Sequence, residues 1–557
     1  MRQRPFAGLT RRNLGTELVA GVTLLAIAVP LNIGYAQIAG LPPTAGLYAL
    51  IVPTILYALV VSSRQVVASP DAAAAALVAS SIGGLAVAGS ADYAALAMAQ
   101  AIISGILFVL LAVFKLGFLA NFLSKPILVG FVGGLALDIL LSQVAKMLGV
   151  GIDSGAEFPE KLVQLVTQLG TTNGWSVLIS AVAVAVLLVG RRLARAVPWA
   201  LIVLVAATVA VVVGGLEERG VAVLGEVPAG PPALTWPILD WATWLALVPS
   251  AIALTLVTTA EGLLVSRSYA EKRRYPFRAN RDLLAFGVAN VAAGAQGSFA
   301  IGASTSRTAA VDQAGARTQL PSVVVAVGTL LLLLFGTALL ADIPSPAIGA
   351  VVAVAILPLL GIGEFRDLWR RDRFEFVIGA ACFLVTLLVG PIAGILVAVV
   401  LALVNLAKRA ANPAIDVLES GGEPTDSLLD AAPRGAVTAP GVIVVRLAAP
   451  LFFANGGVFA DAVKRAVDAA DATGNGPVRH VVIDLEAVTD VDVTGAESFQ
   501  ALLEWLERRE IGVALSRVRP GIRQRLAALG VPGPPDVYET NRAAIAALAS
   551  TRTEDGT

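Results

Sequence analysis

From Leu18 to about Leu406 the chain repeats one pattern, a run of apolar residues followed by a short polar loop. About 20 apolar residues cross the hydrocarbon layer of a bilayer. No water is available there to satisfy peptide N–H and C=O groups, so the runs are expected to cross as helices. They lie near 18–36, 44–61, 71–88, 93–114, 126–147, 174–190, 197–214, 245–266, 283–299, 306–316, 319–341, 346–361, 374–390 and 391–407. At the usual span length this makes about fourteen crossings. The segments opening at Asp71 and Ser306 are short and Ala-rich and read as half-helices. Composition agrees, with 57% hydrophobic and 14% charged residues, where soluble domains carry about 25% charged. No small-residue cleavage site follows a short apolar core, so the run from Leu18 is read as a retained span.

Loop charge gives an orientation. Arg2, Arg4, Arg11 and Arg12 precede the first run, and Arg191, Arg192 and Arg195 follow the sixth. Lys272, Arg273, Arg274, Arg278 and Arg281 follow the eighth, Arg366, Arg370, Arg371 and Arg373 the twelfth, and Lys408 and Arg409 the last. With an even number of crossings these all fall on one side. The opposite loops carry Asp153, Glu157, Glu160, Glu217, Glu218 and Glu226. The positive-inside rule then puts both termini in the cytoplasm of a multi-pass protein of the cell's inner (cytoplasmic) membrane, with the lipid bilayer as its surroundings. Lys+Arg and Asp+Glu both number 40, so net charge implies no nucleic-acid partner. The single cysteine, Cys382, excludes a disulfide framework and reads as a small buried hydrophobe.

Two polar stretches interrupt the apolar pattern. Ser69-Pro70-Asp71 is a helix-start signal: Ser caps, Pro takes the first helical position and the acid follows in the first turn. The N–H groups of Ala72 and Ala73 would then point at a ligand, with small side chains that let it approach. Ser304, Thr305, Ser306 and Arg307 would open the second half-helix. Seven spans separate the two, which inverts one half of the chain relative to the other, and interrupted helices at corresponding positions point to a midplane site. Two N-termini meeting head to head would converge their positive ends on an anion. Arg307 adds a fixed charge there or serves as counter-ion to an intramembrane carboxylate. Asn32, near Pro30 and Tyr35, either repairs a carbonyl freed by the proline or reaches the substrate.

Glu261, in Thr258-Thr259-Ala260-Glu261-Gly262, is expected to lie deep in its span. Burial favours its neutral form and a nearby arginine its charged form. It is a candidate proton carrier, a sodium ligand with Thr258 one turn earlier, or a permanent partner of Arg307. Asp138 is a further intramembrane acid, expected in a polar pocket.

The boundaries follow: a cytoplasmic N-terminus 1–14, a transmembrane anion-transport domain 15–410, a Pro/Gly/Asp/Glu-rich linker 411–440, a soluble domain 441–550 and a tail 551–557. Strands at 442–445, 481–485 and 513–515 alternate with helical patterns near 456–472, 495–509 and 520–529, an α/β arrangement. Thr494, in Asp490-Val491-Asp492-Val493-Thr494-Gly495, opens a helix as an N-cap or as a regulatory phosphosite. His480 has no Cys/His partner in the sequence, no phosphate loop ends in Lys-Ser/Thr, and no catalytic triad or dyad assembles. No enzyme, no metal and no cofactor is expected, only a co-transported proton or sodium.

These residues resemble the sulfate-permease (SulP) family, the solute carrier 26 type of anion transporter. Ala20-Gly21-Val22-Thr23 to Pro30, Tyr35-Ala36, Gly40-Leu41-Pro42-Pro43 and Gly46-Leu47-Tyr48 are similar to its first-span signature. Ser142-Gln143 with Lys146, Leu148 and Gly149 is similar to the close of its fifth span. Ser304 to Ala309 and Gln313-Ala314-Gly315-Ala316-Arg317-Thr318 are similar to its tenth-span motif. Pro450-Leu451-Phe452-Phe453-Ala454-Asn455 and Asp492-Val493-Thr494-Gly495 resemble its C-terminal STAS domain. The family's usual Gln after the first-span proline is Leu31 here, and its usual glycines before the tenth-span Ser and the third-span proline are Ala303 and Ser69.

The resemblance implies an α-helical polytopic protein in a seven-plus-seven inverted repeat with core and gate domains, and a cytoplasmic α/β STAS domain. It implies an elevator-type mechanism, a homodimer and an anion held between the third and tenth half-helices. By motif match Ser306, Arg307 and the Ala72–Ala73 backbone are substrate-site positions, and Glu261 falls where bacterial relatives carry an acid linked to proton or sodium coupling. The expected function is secondary active anion transport, read as anion:proton symport of sulfate, fumarate or succinate, or bicarbonate. The alternatives are a sodium-coupled bicarbonate symporter, a nucleobase permease, and a membrane-anchored STAS signalling protein with a cytoplasmic partner and little transport.

Overall fold

Prolines start many of the helices, because the first turn has no use for their missing N–H. Pro43, Pro53, Pro249, Pro321 and Pro346 all sit at the first or second helical position. The computed structural model describes residues 6, 8–83, 85–118, 125–153, 156–193, 197–421, 430–433, 435–472, 477–531 and 536–549. Arg2, Arg4, Arg195 and the tail 551–557 lie outside the described residues. The chain divides into two compact units, Met1–Ala402 and Leu403–Thr557.

In the first unit the chain runs α1 (Leu14–Ile38), α2 (Pro43–Tyr48), α3 (Val52–Val60), β1 (Ala68–Ser69), α4 (Ala72–Ile82), α5 (Ala91–Val113), α6 (Lys125–Leu148) and α7 (Phe158–Thr167). It continues through α8 (Gly174–Leu193), α9 (Trp199–Gly214), α10 (Trp241–Ala246), α11 (Val248–Arg273), α12 (Ala279–Gly294), β2 (Gly302–Ala303) and α13 (Thr305–Gln313). The last helices are α14 (Leu320–Phe335), α15 (Ala338–Ala341), α16 (Ser345–Ile356), α17 (Ile362–Arg371), α18 (Arg373–Leu388) and α19 (Pro391–Ala411), which crosses into the second unit. Among the described residues, 6 helical stretches are long and apolar enough to cross a membrane, and Ala72–Ile82, Gly174–Gly190, Trp199–Gly214 and Leu320–Phe335 are shorter apolar helices.

Glycines set how closely these helices pack. A Cβ on Gly105 of α5 would lie 2.7 Å from the Val291 nitrogen and 2.8 Å from the Gly287 oxygen of α12. A Cβ on Gly130 of α6 would lie 2.1 Å from the Gly379 oxygen of α18. Close backbone approach through small residues holds membrane helices together where lipid supplies no hydrophobic drive. Charged ties brace the polar ends. Asp312 of α13 accepts from Lys272 Nζ at 2.8 Å and Arg273 Nε at 2.7 Å. Glu17 of α1, fully buried, accepts from Arg317 N at 2.7 Å and Thr318 Oγ1 at 3.0 Å.

The structure departs from the sequence reading in several places. The helix expected over 71–88 ends at Ile82, before Gly83. α7, α10 and α17 occupy stretches read as loops or span ends. In α17, Leu368 is buried while Arg366, Arg370 and Arg371 are exposed, an amphipathic pattern that a search for apolar runs passes over.

The second unit holds a five-stranded sheet in the order β3 (Ile415–Val417), β4 (Val442–Leu447), β5 (His480–Asp484), β6 (Gly512–Ser516), β7 (Asp536–Tyr538). β3 is antiparallel to β4, and the other pairs are parallel. Its helices are α20 (Gly456–Ala472), α21 (Val493–Arg508), α22 (Pro520–Ala528) and α23 (Asn541–Ala549). Phe459, Val463, Ile483, Phe499 and Leu502 form one buried layer, and Ala544 joins the other face of the sheet. Residues 415–418 are therefore no linker. Leu418 is buried, and Thr438 Oγ1 donates to its carbonyl at 2.7 Å and accepts from Val444 N at 2.9 Å, which closes the sheet edge.

Candidate functional site

The site is built on a two-residue ladder. β1 pairs antiparallel with β2, Ala68 opposite Ala303 and Ser69 opposite Gly302. An antiparallel pair has a local two-fold axis, and each strand leads straight into a half-helix, so the N-termini of α4 and α13 are brought together from opposite directions. Two bonds lock the junction: Ser304 N donates to Val67 O at 3.0 Å, and Val67 N donates to Thr308 Oγ1 at 3.0 Å.

Each half-helix is capped by its own side chain. Ser304 Oγ accepts from Arg307 N at 3.4 Å. On α4 the cap is Asp71, whose Oδ1 accepts from Ala74 N at 2.7 Å. Ser69, which the sequence suggested as cap, is drawn into the ladder instead, and its fully buried Oγ has no hydrogen-bond partner among the described residues. Ala72 and Ala73 are the first buried residues of α4. Their N–H groups belong to the set that no intrahelical carbonyl can satisfy. Thr305 and Ser306 are exposed at the start of α13. Ser306 opens, with Ala309, Ala310, Leu31, Trp199 and Val351, onto a cavity of about 350 Å³.

Arg307 is 1% exposed. Its Nη2 donates to the carbonyl of Pro70, which ties α13 to the start of α4. Its guanidinium carbon lies 5.6 Å from the ring centroid of Tyr35 on α1. Nε and Nη1 are buried without a hydrogen-bond partner among the described residues. Leaving such donors unpaired in a desolvated site costs roughly 1–3 kcal/mol each. An anion between the helix N-termini would satisfy them.

Glu261 sits on α11, half-buried. The expectation that it pairs with Arg307 is not met: no ion pair joins them among the described residues, and the charge that acts on Glu261 is the second acid, Asp71. Asp71 also interacts with Arg307. Gly262 lets α11 pack closely on α12, where a Cβ on it would lie 2.8 Å from the Phe286 ring, and Ala303 of β2 stands beside it, 3.7 Å from that position. Thr258 is buried, its Cγ2 3.3 Å from where a Cβ on Gly302 would be. The sequence offered Glu261 as a possible partner of Arg307 and read Asp71 as a first-turn acid that stabilises the start of its helix. The Ser-Pro-Asp signal holds no hint of its neighbours, which come from two distant spans.

The other predicted residues lie apart from this cluster or play a different part in it. Asn32 is fully buried; its Nδ2 donates to Ala28 O at 2.7 Å, its Oδ1 has no partner among the described residues, and its own carbonyl faces Gly46. The carbonyl freed by Pro30 is that of Ala26, so Asn32 does not repair it. Asp138 accepts from Lys161 Nζ at 2.9 Å on both oxygens and lines a cavity of about 150 Å³ with Ala76, Ala79 and Ser80 of α4. In the second unit Thr494 is exposed and is not the cap of α21. Asp492 takes that role, its Oδ1 accepting from Gly495 N at 2.7 Å and its Oδ2 from Phe453 N at 3.0 Å. His480 is held below the usual imidazole range, mainly by burial.

Comparison with known proteins places this geometry in context. The profile described as "Sulfate permease family" matches residues 14–382, and that of the STAS domain matches residues 435–544. A Mycobacterium tuberculosis protein named "Probable sulfate transporter" is 35% identical over 525 residues, 94% of this chain and 92% of its own. Low affinity sulfate transporter 3 of Stylosanthes hamata is 30% identical, over 90% of this chain and 82% of its own. The structure of the murine solute carrier 26 family member A9 anion transporter, in an inward-facing state, superposes with a TM-score of 0.85 at 21% identity, covering 97% of this chain and 92% of that one. The transmembrane domain of the cyanobacterial bicarbonate transporter BicA gives 0.61 at 22% identity, covering 70% of this chain and 98% of its own.

Proposed function

This chain belongs to the sulfate permease family, and from that premise we propose that it drives a small anion across the membrane by symport with a proton. It is a multi-pass anion transporter with a C-terminal STAS domain, and not an enzyme. The observation that carries the site assignment is Arg307, buried between two opposed helix N-termini with Nε and Nη1 unpartnered. Ser304, Thr305, Ser306, Arg307 and the Ala72–Ala73 N–H groups form the substrate site, with Asn32 supporting it from α1. Glu261, with Thr258 one turn before it, carries the coupling ion. The names of the sulfate-transporter relatives make sulfate the first substrate to test.

The half-helices travel together, in elevator fashion, past a dimerised gate domain in the inner membrane, with both termini cytoplasmic. The STAS domain faces a cytoplasmic partner, and exposed Thr494 is the place where a phosphate would meet a helix N-terminus. The test is internal pH in proteoliposomes with sulfate, fumarate, succinate or bicarbonate added outside, with and without sodium, and a protein-free control for bicarbonate. Acidification with one anion identifies the substrate and the proton. Flux that needs sodium and ignores a pH gradient replaces proton symport with sodium coupling.

A further inference from the structure

Resting on the coupled-transport reading above, we propose that Asp71 is the second carboxylate of the coupling-cation site, so that the anion binds only in company with a monovalent cation. Capping α4 takes one oxygen of Asp71 and no charge, as the hydroxyl of Ser304 shows at the equivalent position of α13. The other oxygen, Oδ2, faces β2, where a Cβ on Gly302 would lie 2.2 Å from it and 3.3 Å from Thr258 Cγ2. The missing side chain of Gly302 is thus the space in which the Asp71 carboxylate meets α11. Ser69 stands opposite Gly302 in the ladder. Residues directly paired across antiparallel strands project to the same face, so Ser69 Oγ, fully buried and unpartnered, is aimed at the same space. It offers a cation a lone pair beside the carboxylate.

The groups that surround this space come from four elements: Glu261 and Thr258 from α11, Arg307 from α13, Tyr35 from α1 and Ser69 from β1. With both acids ionised, Asp71 and Glu261 outnumber the one guanidinium, and the site then carries a net negative charge that repels its substrate. One monovalent cation, a proton or sodium, balances the charge, and the anion then meets the helix N-termini and the free nitrogens of Arg307. Each ion raises the affinity of the other by the same factor.

Asp71→Asn tests this with the cap preserved, since asparagine caps as well as aspartate. Sulfate and fumarate binding to the purified full-length protein is measured by calorimetry, in buffers of different ionisation heat, with sodium or choline. The wild type is expected to take up about one proton per anion in choline, or to bind about tenfold tighter, ~1.4 kcal/mol, when sodium replaces choline. The first result assigns the cation as a proton and the second as sodium. Asp71→Asn is expected to bind the anion with that linkage lost. Gly302→Ala, which displaces the same carboxylate from the neighbouring strand, is expected to weaken the linkage too, and carries the test if Asp71→Asn does not purify folded. A variant as strongly linked as the wild type overturns the proposal, and so does wild-type binding that is absent or indifferent to both cations. Wild-type binding linked to a cation, in vesicles that fail to concentrate sulfate on a proton or sodium gradient, would sink coupled transport and leave Asp71 in its place.

Discussion

Arg307 brings a guanidinium into a desolvated site, and among the described residues only its Nη2 donates a hydrogen bond, to Pro70. A lysine there keeps the charge and loses the planar fork that meets an oxyanion with two parallel bonds. Arg307→Lys is expected to weaken sulfate binding about tenfold or more, at least ~1.4 kcal/mol, with the fold retained; unchanged affinity in a binding titration would remove Arg307 from the anion site. Glu261 has the opposite character, a half-buried carboxylate whose charged neighbour is another acid. Glu261→Gln is expected to leave sulfate:sulfate exchange running while a pH gradient no longer concentrates sulfate. Tracer accumulation in proteoliposomes checks this, and gradient-driven uptake at the wild-type level would exclude Glu261 as the coupling residue.

At the scale of elements, the two half-helices owe their positions to the short β1–β2 ladder and to side chains that reach across it. Thr308 Oγ1 is the acceptor for Val67 N, both groups buried. Thr308→Val keeps shape and removes the acceptor, which leaves a buried N–H unpaired at a cost of about 1–3 kcal/mol. A lower thermal midpoint together with slower sulfate exchange is the expected result; an unchanged midpoint would show that Val67 finds another acceptor. The long apolar helices were legible in the sequence, because bilayer thickness imposes a length that apolar runs display directly, while α7, α10 and α17 were not. The start of α13 was legible as a cluster of hydroxyl residues, of which Ser304 is the cap, bonded to a residue three places on. The cap of α4 was not. Ser69-Pro70-Asp71 admits two registers, and pairing of Ser69 with Gly302, far along the chain, decides for Asp71. β3 was missed likewise, since Ile415–Val417 is a strand only by virtue of its partner β4.

For the molecule as a whole, both half-helices border cavities. Ser306, Ala309 and Ala310 of α13 line about 350 Å³ against Trp199 and Val351, while Ala76, Ala79 and Ser80 of α4 line about 150 Å³ against the Asp138–Lys161 pair. On the elevator reading the half-helices are carried past α6, α8, α9 and α16, and the cavity between α13 and α16 changes shape as they move. Cross-linking Ala309 to Val351 should therefore arrest the cycle. Cys382, buried and the sole cysteine, permits a clean background through Cys382→Ala. In that background, cysteines at 309 and 351 joined by a reducible bifunctional thiol reagent are expected to abolish sulfate flux, and reduction to restore it. Cysteines at 68 and 303, paired within the one ladder, which the elevator reading moves as a single body, are expected to leave flux intact when joined. Flux that survives the 309–351 link would mean that the anion passes without relative motion of α13 and α16, and the elevator reading would fall while the anion site at Arg307 would stand.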